Sequence, residues 1–360
     1  MNIVFVTSTI NQNGGIERVI SRLSNYFIEK LNYNVDIISV YSKEENCCFQ
    51  LNENISVKNL RVEMQQKNDL KSRILKTKEI NKKIKQTLNG NNYDIIITFQ
   101  APISNAILFN TRGIKEKIIV TEHINYKFYG KLRHIINILN FKKADKLIVL
   151  TEYDKKFYSK FMKNVKRIPN AISFNSKNCC DYSTKKILAV GRIEEAKGFD
   201  YLIDAFKLIS NKYNDWKLQI IGDGSQKQIL NKKVREYGLQ DRIKIQPFTQ
   251  NIKQEYLQAS IYALSSRVEG LPLVLLEAME CGLPIVSFDI EPALAVLKDG
   301  KDSLIARSFN VQEFAKNLEV LIQDERKREG YGKEAKKNVQ EYKIDNILLK
   351  WDQLFKNIIK

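Results

Sequence analysis

The sequence predicts an α/β protein made of two doubly wound, Rossmann-like domains that face each other across a cleft. Three observations predict it. Short, continuously apolar runs, residues 3–7 and Lys186–Val190 among them, read as strands buried on both faces. They alternate with segments whose apolar residues recur at helical spacing, as Ile16, Val19, Ile20, Leu23 and Phe27 do. The alternation stops at Arg167-Ile-Pro-Asn170, crosses a polar stretch and begins again, and 360 residues suit two domains of ordinary size.

In the first domain, residues 1–170, strand 3–7 leads through Gly14-Gly15 into a helix over 16–29. Residues 34–41 form the second strand. Residues 70–88 form a basic amphipathic helix on Ile74, Leu75, Ile80, Ile84 and Leu88. Strands at 93–99 and 117–121, a helix at 131–141 and a strand at 146–150 complete the domain. Residues 171–184, rich in Asn, Ser and Lys, read as a linker. In the second domain, residues 185–342, strands at 186–190, 216–222, 243–246, 261–264 and 283–288 alternate with helices at 199–213, 227–237, 252–259 and 273–280. Residues 302–306 read as a final strand, and 311–321 and 324–342 as helices. Residues 343–360 carry a closing amphipathic helix.

Composition narrows the class. With 43% hydrophobic and 28% charged residues the chain can fill sizeable cores, and it lacks an apolar run of ~18 residues that would cross a membrane. Its start, Met-Asn-Ile-Val-Phe, reads as a buried strand and not as a signal peptide, so a cytoplasmic protein is expected. Cys47, Cys48, Cys179, Cys180 and Cys281 read as reduced thiols, and two histidines, His123 and His134, give no zinc-type spacing. No metal site is expected. The net charge of +18 sits mainly in residues 1–170, with 29 basic residues against 15 acidic, concentrated at 67–85, 127–133 and 142–146. Such a half suits an anionic partner: nucleic acid, an acidic membrane surface or a phosphorylated acceptor. It equally suits a lysine-rich solvated surface, since abundant Lys, Asn and Ile suggest an AT-rich genome. No aromatic platform interleaves the basic residues, so nucleic acid is not the expected partner.

The stretch from Val268 to Gly282, Val-Glu-Gly-Leu-Pro-Leu-Val-Leu-Leu-Glu-Ala-Met-Glu-Cys-Gly, organises the second domain. Pro272 suits the first position of a helix and Gly282 the position just past its end. Glu269 precedes the helix and Glu277 lies inside it. Two acids around a helix start, itself an anion site, suit a ligand carrying both hydroxyls and phosphate, or else one solvated and one capping Glu. Gly191-Arg192 after a strand and Lys197 before the next helix supply two cations that neutralise a diphosphate without metal, or an ordinary pair with Glu194 or Glu195. Those two acids are expected to point away. Gly14-Gly15 permits a tight turn and close approach to an anion. Gly222-Asp-Gly224 ends a strand and reads as a turn, or as a contact to a base or ribose, and Ile245-Gln-Pro-Phe248 ends the next strand, where backbone groups could read a base edge. His123 ends a first-domain strand. The chain contains no Asp-x-Asp, which argues against the usual metal-bound diphosphate.

Taken together and in order, these motifs resemble the family 4 glycosyltransferases of the GT-B fold over nearly the whole chain. Glu269 and Glu277, in Glu-Gly-Leu-Pro-Leu-Val-Leu-Leu-Glu-Ala, carry the most specific part. Gly14-Gly-Ile-Glu-Arg18, Gly191-Arg192 with Lys197, Gly222-Asp-Gly224, Ile168-Pro-Asn170 and Asp299-Gly300 support it. The resemblance implies an acceptor-side first domain and a nucleotide-sugar-binding second domain. Glu277 would hold the donor ribose, Glu269 the donor sugar, and Arg192 and Lys197 the diphosphate. Gly15 would close over the phosphates, and His123 would lie near the donor sugar. Gly222, Phe248, Gly270, Leu271 and Leu273 would complete the donor pocket. The family retains anomeric configuration. The resemblance therefore implies transfer of a hexose or N-acetylhexosamine from a UDP-linked donor, with no further cofactor. A lipid-linked or saccharide acceptor would be met at the anionic inner membrane face, in surface-polysaccharide or glycolipid assembly. Departures are Ala171-Ile-Ser173 and Pro247, where the family often has glycine or aspartate, and Glu291-Pro-Ala-Leu-Ala-Val in place of a Gly-rich segment. A nucleotide-sugar epimerase of the same fold is the alternative enzyme.

Overall fold

A computed structural model describes residues 1–12, 14–43, 47–63 and 69–359. Lys67, at the head of the first basic cluster, lies outside the described residues. The chain forms two compact units, Met1–Asn170 with Asp345–Lys360, and Ala171–Ile344.

The first unit is a seven-stranded parallel sheet of β1 (Asn2–Thr7), β2 (Asn34–Ser39), β3 (Ser56–Asn59), β4 (Ile95–Phe99), β5 (Lys117–Glu122), β6 (Lys146–Val149) and β7 (Val165–Arg167). Their spatial order is β3-β2-β1-β4-β5-β6-β7. The chain winds outward from β1 in one direction, then returns to β4 and winds in the other. β1 and β4 therefore flank the switch point, where the carboxyl ends of parallel strands open onto a ligand-binding crevice. The middle strands are apolar throughout because helices cover both faces; Ile3, Val4, Phe5, Val6 and Ile95, Ile96, Ile97 are all fully buried. The edge strands β3 and β7 have no counterpart in the sequence reading. Ser-Val-Lys-Asn and Val-Lys-Arg are short and half-exposed, so pairing with β2 and β6 defines them, not hydropathy. The helix Ala101–Phe109 was also unread: it is apolar on most sides and lacks a polar face to reveal its period.

The helix Ile344–Ile359 belongs to this unit. Trp351 and Phe355 place their ring centroids 5.9 and 5.3 Å from that of Phe27, and Tyr33 donates its hydroxyl to Asp352 at 2.5 Å. Phe27, Trp351 and Phe355 are buried.

The second unit is a six-stranded parallel sheet of β8 (Lys186–Val190), β9 (Lys217–Ile221), β10 (Ile243–Gln246), β11 (Ile261–Leu264), β12 (Ile285–Phe288) and β13 (Ser303–Ala306), ordered β10-β9-β8-β11-β12-β13. Its switch point lies between β8 and β11, which pair with Ile261 beside Ile187 and Tyr262 beside Leu188. Three sequence expectations change here. Residues 171–184, read as a linker, lie against this unit. Ser176 N–H donates to buried Glu280 at 2.8 Å, Cys180 N–H to the Cys281 carbonyl at 2.7 Å, and Tyr182 hydroxyl to the Gly282 carbonyl at 3.0 Å. Asn175, Lys177, Asn178, Asp181 and Ser183 stay exposed, while these hydrogen bonds seat the segment on the unit. The helix expected over 324–342 ends at Asn338 and tightens into a 3-10 turn, Val339–Tyr342. Pro272 caps the helix Leu273–Glu280 from outside instead of opening it. At the far end Gly282, at φ +72°, closes that helix with Leu283 N–H on the Ala278 carbonyl at 3.0 Å.

Candidate active site

The carboxyl edge of the second sheet gathers most of the residues singled out from the sequence. Gly191 and Arg192 follow β8, Gly222 follows β9, Phe248 lies two residues beyond β10, and the loop to Glu269 follows β11. Lys197, in a 3-10 turn at Glu195–Lys197, sends Nζ to 2.6 Å from Glu269 Oε1, and Ser266 hydroxyl donates to that same oxygen at 2.7 Å. The pair is largely sheltered, with side-chain exposures of 20% and 9%, so the attraction is screened less than on an open surface. Arg192 is exposed; hydrogen bonds from the Ser225 hydroxyl and N–H hold the Glu194 carboxyl below its ordinary range, with the Arg192 charge adding to them. Gly270 and Leu273 are half-buried and Leu271 is buried, leading into the N-terminus of Leu273–Glu280, which has no side-chain cap.

Glu277 lies one turn into that helix and is fully buried. Tyr256, also buried, donates its hydroxyl to Glu277 Oε2 at 2.9 Å. Tyr262 lies close enough to Glu269 and Glu277 that burial, then the two carboxylates, push its phenol far above the ordinary range. Its hydroxyl reaches the Val190 carbonyl at 3.4 Å, at the end of β8. Two carboxylates thus sit in one protected region with phenols between them and the strand ends.

The loops around this region are fastened by polar contacts. Arg267 forks onto Asp200 at 2.8 and 2.6 Å, donates to the Glu195 carbonyl at 2.7 Å and lies 4.1 Å over the Tyr201 ring. Arg267 N–H also donates to the Ala196 carbonyl at 2.8 Å, which pins the Glu269 loop to the Lys197 turn. Gly198, at φ +60°, packs so closely that a Cβ there would stand 2.1 Å from the Ser265 carbonyl oxygen. A Cβ on Gly222 would stand 1.9 Å from the Gly191 carbonyl oxygen, so glycine lets those two strand ends meet. Glu194, expected to point away, accepts from Ser225 N–H at 3.0 Å and Ser225 hydroxyl at 2.5 Å and braces the Gly222–Gly224 loop. Phe248 is partly exposed, its N–H 3.4 Å from Asp223 Oδ2.

Gly15 and His123 belong to the first unit. Gly15 opens the helix Gly15–Leu31 and a Cβ there would meet nothing within 4 Å. The tight position is Gly14, where a Cβ would stand 2.1 Å from Glu17 Oε2, and Glu17 in turn accepts from Thr9 hydroxyl at 2.9 Å. His123 follows β5. Its ring stacks on Phe99 at 5.4 Å, Nε2 lies 3.1 Å from Thr121 Oγ1, and Nδ1 is buried with no hydrogen-bond partner among the described residues. Burial lowers its pKa to about 4, so the imidazole is neutral at pH 7. Beside it, burial raises the Glu122 carboxyl to about 7, against hydrogen bonds from Ile124 N–H at 3.1 Å and Tyr129 hydroxyl at 3.0 Å. At the switch point Gln100 adopts φ +68°, rare outside glycine, and its Oε1 accepts from Ser8 N–H at 3.0 Å and Thr7 hydroxyl at 3.2 Å. Gln100 thereby ties the ends of β1 and β4 together.

Residues 177–338 match the family model described as glycosyl transferases group 1. That match covers most of the second unit, which is similar to the group 1 glycosyltransferases. The chain is 29% identical over 354 residues to an uncharacterized glycosyltransferase of Haemophilus influenzae, covering 96% of this chain and 98% of the relative. It is 28% identical to the amylovoran biosynthesis glycosyltransferase AmsD of Erwinia amylovora, over 96% of this chain and 97% of that one. It is 27% identical to a Campylobacter jejuni α-1,4-N-acetyl-D-galactosaminyltransferase named for an undecaprenol-diphosphate-linked saccharide, over 99% of both chains. Among solved structures, a Staphylococcus aureus TarM variant in complex with fondaparinux, α-GlcNAc-glycerol and UDP superposes with a TM-score of 0.82 at 16% identity, covering 99% of this chain and 100% of that one. That likeness shows the fold, which is GT-B: two parallel, Rossmann-like sheets.

Sequence reasoning on this chain missed Ser266, Arg267, Asp200, Tyr256 and Tyr262, all part of the contacts just described. Arg267 stands two residues before Glu269, and an Arg beside that loop was a usable signal. The tyrosines gave none, since a Tyr in an apolar strand or helix reads as core. No described helix is long and apolar enough to cross a membrane.

Proposed function

We propose that this chain is a glycosyltransferase that moves a hexose or N-acetylhexosamine from a UDP-linked donor to a lipid-linked or saccharide acceptor, with retention of configuration and without a metal. The pathway is surface-polysaccharide or glycolipid assembly, worked from the cytoplasm at the anionic inner membrane face. The observation that carries this reading is the single edge on which Arg192, Lys197, Glu269 and the buried Glu277 lie, beside the uncapped N-terminus of Leu273–Glu280. In it, Arg192, Lys197 and the helix N-terminus take the diphosphate and stabilise its charge as it leaves, which favours the transition state over the bound donor. Glu277, oriented by Tyr256, accepts from the ribose hydroxyls. Glu269 faces the sugar hydroxyls while its partner Lys197 turns to phosphate. In the first unit, the buried and neutral His123 can offer a hydrogen bond to a sugar hydroxyl without adding charge. Transfer follows a front-face route: the acceptor hydroxyl attacks as the C1–phosphate bond breaks, and the leaving phosphate takes the acceptor's proton. The UDP in the TarM complex and the lipid-linked saccharide in the Campylobacter relative's name support the choice of donor and acceptor class.

The test is incubation of the chain with a panel of UDP-hexoses and UDP-N-acetylhexosamines, with and without lipid-diphosphate-linked saccharides. Transfer to the acceptor, or slow donor hydrolysis without it, is expected. Interconversion of two UDP-sugars with no acceptor present would instead make the chain an epimerase, and inertness toward every donor would sink the reading.

A further inference from the structure

We propose that the helix Lys131–Phe141 of the first unit is a membrane-docking element, lying in the plane of an anionic bilayer with its outward face in the lipid interface. The proposal deepens the lipid-linked acceptor just argued and rests on that reading for its purpose.

The helix is apolar on the wrong side. Leu132, Ile135, Ile136 and Leu139 follow the i, i+3, i+4, i+7 spacing that builds one continuous stripe at ~100° per residue. In a soluble helix that stripe faces the core. Here these four side chains are 72, 55, 43 and 59% exposed.

The opposite face does the packing. Phe141 is fully buried, and Asn137, also buried, accepts from Asn105 Nδ2 at 2.8 Å. Asn140 Nδ2 donates back to Asn105 Oδ1 at 3.1 Å. The His134 ring lies edge-on to Tyr126, Tyr129 and Phe157 at 6.4, 6.0 and 5.2 Å. The orientation is therefore fixed by polar and aromatic contacts, and the Leu-Ile stripe is presented outward.

Charge says what covers the stripe. Between Asn125 and Ala144 the chain has five basic residues and no acidic one. On the helical wheel Arg133 flanks one edge of the stripe, and Lys131 and Lys142 flank the other; all three are exposed. Phe128, 53% exposed, and exposed Lys127 extend the same pattern into the turn before the helix. An apolar stripe between rows of cations matches a bilayer's hydrocarbon boundary between anionic headgroups, with acyl chains taking the apolar area and each basic residue adding attraction. A soluble partner protein would have to supply an apolar groove rimmed by acids on both sides, and a second copy of this basic surface would repel itself.

The experiment is co-sedimentation of the full chain with phosphatidylglycerol–phosphatidylethanolamine vesicles and with phosphatidylcholine vesicles, without any sugar donor. Wild type should partition at least about tenfold better onto the anionic vesicles. Leu132→Gln with Leu139→Gln should lose about tenfold of that binding, and Lys131→Gln with Lys142→Gln should remove the preference for anionic lipid. As a second readout, Ile136→Trp should show an emission blue-shift with anionic vesicles beyond any shown by wild type. Equal partition of wild type on both vesicle types, or an Ile136→Trp emission unchanged by vesicles, would overturn the proposal. So would a Leu132→Gln, Leu139→Gln protein that binds vesicles normally but changes oligomeric state by light scattering, which would assign the face to a second copy. UDP-sugar hydrolysis in vesicle-free buffer, unchanged in these variants, separates the two readings. Its absence in wild type counts against the transferase chemistry, whereas the vesicle result bears on the helix alone.

Discussion

Lys197 Nζ stands 2.6 Å from Glu269 Oε1, joining the turn after the first strand of the second sheet to the loop after its fourth. Cation and carboxylate satisfy each other while no donor is bound, and Ser266 holds the same oxygen. Under the proposed function, a diphosphate arriving at this edge would compete with Glu269 for Lys197, and a sugar hydroxyl would compete with Lys197 for Glu269. The pair would keep both charges compensated until the donor replaced each partner with its own.

That exchange predicts coupled losses. Glu269→Ala should lower kcat by about 10²–10³, leaving the half-buried Lys197 without this partner and a developing charge uncompensated. Glu277→Ala should instead raise the donor KM with a smaller effect on kcat. Lys197→Ala combined with Glu269→Ala should cost less than the sum of the single variants, because the two share one interaction. Steady-state kinetics with the best UDP-sugar decide it; equal losses in kcat and KM for Glu269→Ala and Glu277→Ala would contradict the division of roles.

Tyr256 acts through Glu277. Removing its hydroxyl in Tyr256→Phe leaves a buried carboxylate short of one donor, at a cost of about 1–3 kcal/mol. The donor KM should rise several-fold with kcat nearly unchanged, and UDP should restore less thermal stability than it gives wild type. A Tyr256→Phe protein as stable and as tightly UDP-binding as wild type would make the 2.9 Å contact incidental.

Glu122 and His123 are adjacent but titrate in opposite senses. Glu122 rises from an ordinary 4.5 to about 7, chiefly through burial. Its contribution is therefore full below pH 4.5 and is lost as pH climbs toward 7. His123 falls from 6.5 to about 4, so its contribution is full above pH 6.5 and is lost as pH drops toward 4. Between pH 4.5 and 6.5 the two slopes oppose each other. Glu122→Gln should expose the histidine slope, with stability rising with pH, and His123→Gln the carboxylate slope, with stability falling. Urea midpoints across pH 4.5–7 check this, and parallel curves for both variants would refute it.

Trp351→Ala should cost about 3–5 kcal/mol by opening a cavity against Phe27 and Phe355. Because the ring sits in the first unit, donor binding at the second sheet should persist below the lowered melting temperature. Calorimetry with and without UDP tests both parts.

The sequence carried the fold wherever burial was continuous. Short apolar runs bounded by turn residues, such as Ile95–Phe99 and Ile285–Phe288, read as strands covered on both faces, and the restart at Lys186 marked the second sheet. It failed where pairing or hydrogen bonding, not hydropathy, defines the element: β3, β7 and the bonded segment 171–184. At the candidate site, Glu269, Glu277, Arg192 and Lys197 stood out because charges beside glycines at strand ends are unusual. The Lys197–Glu269 contact did not, since it spans 72 positions and depends on how β8 and β11 come to lie side by side. Gln100 was equally hidden; nothing in its neighbours signals a left-handed backbone. The outward stripe of Lys131–Phe141 was read as a helix with the right period, but the period does not say which side is in.

The first unit is assembled from both flanks of the second, residues 1–170 and the helix Ile344–Ile359. On the ribosome, the second unit is a single uninterrupted segment and can close as soon as it has emerged. The first cannot. Phe27 and Tyr33, made early, wait through the synthesis of the whole intervening sheet before Trp351, Asp352 and Phe355 arrive to cover them. Chain order is thus inverted in time: the domain that begins first finishes last.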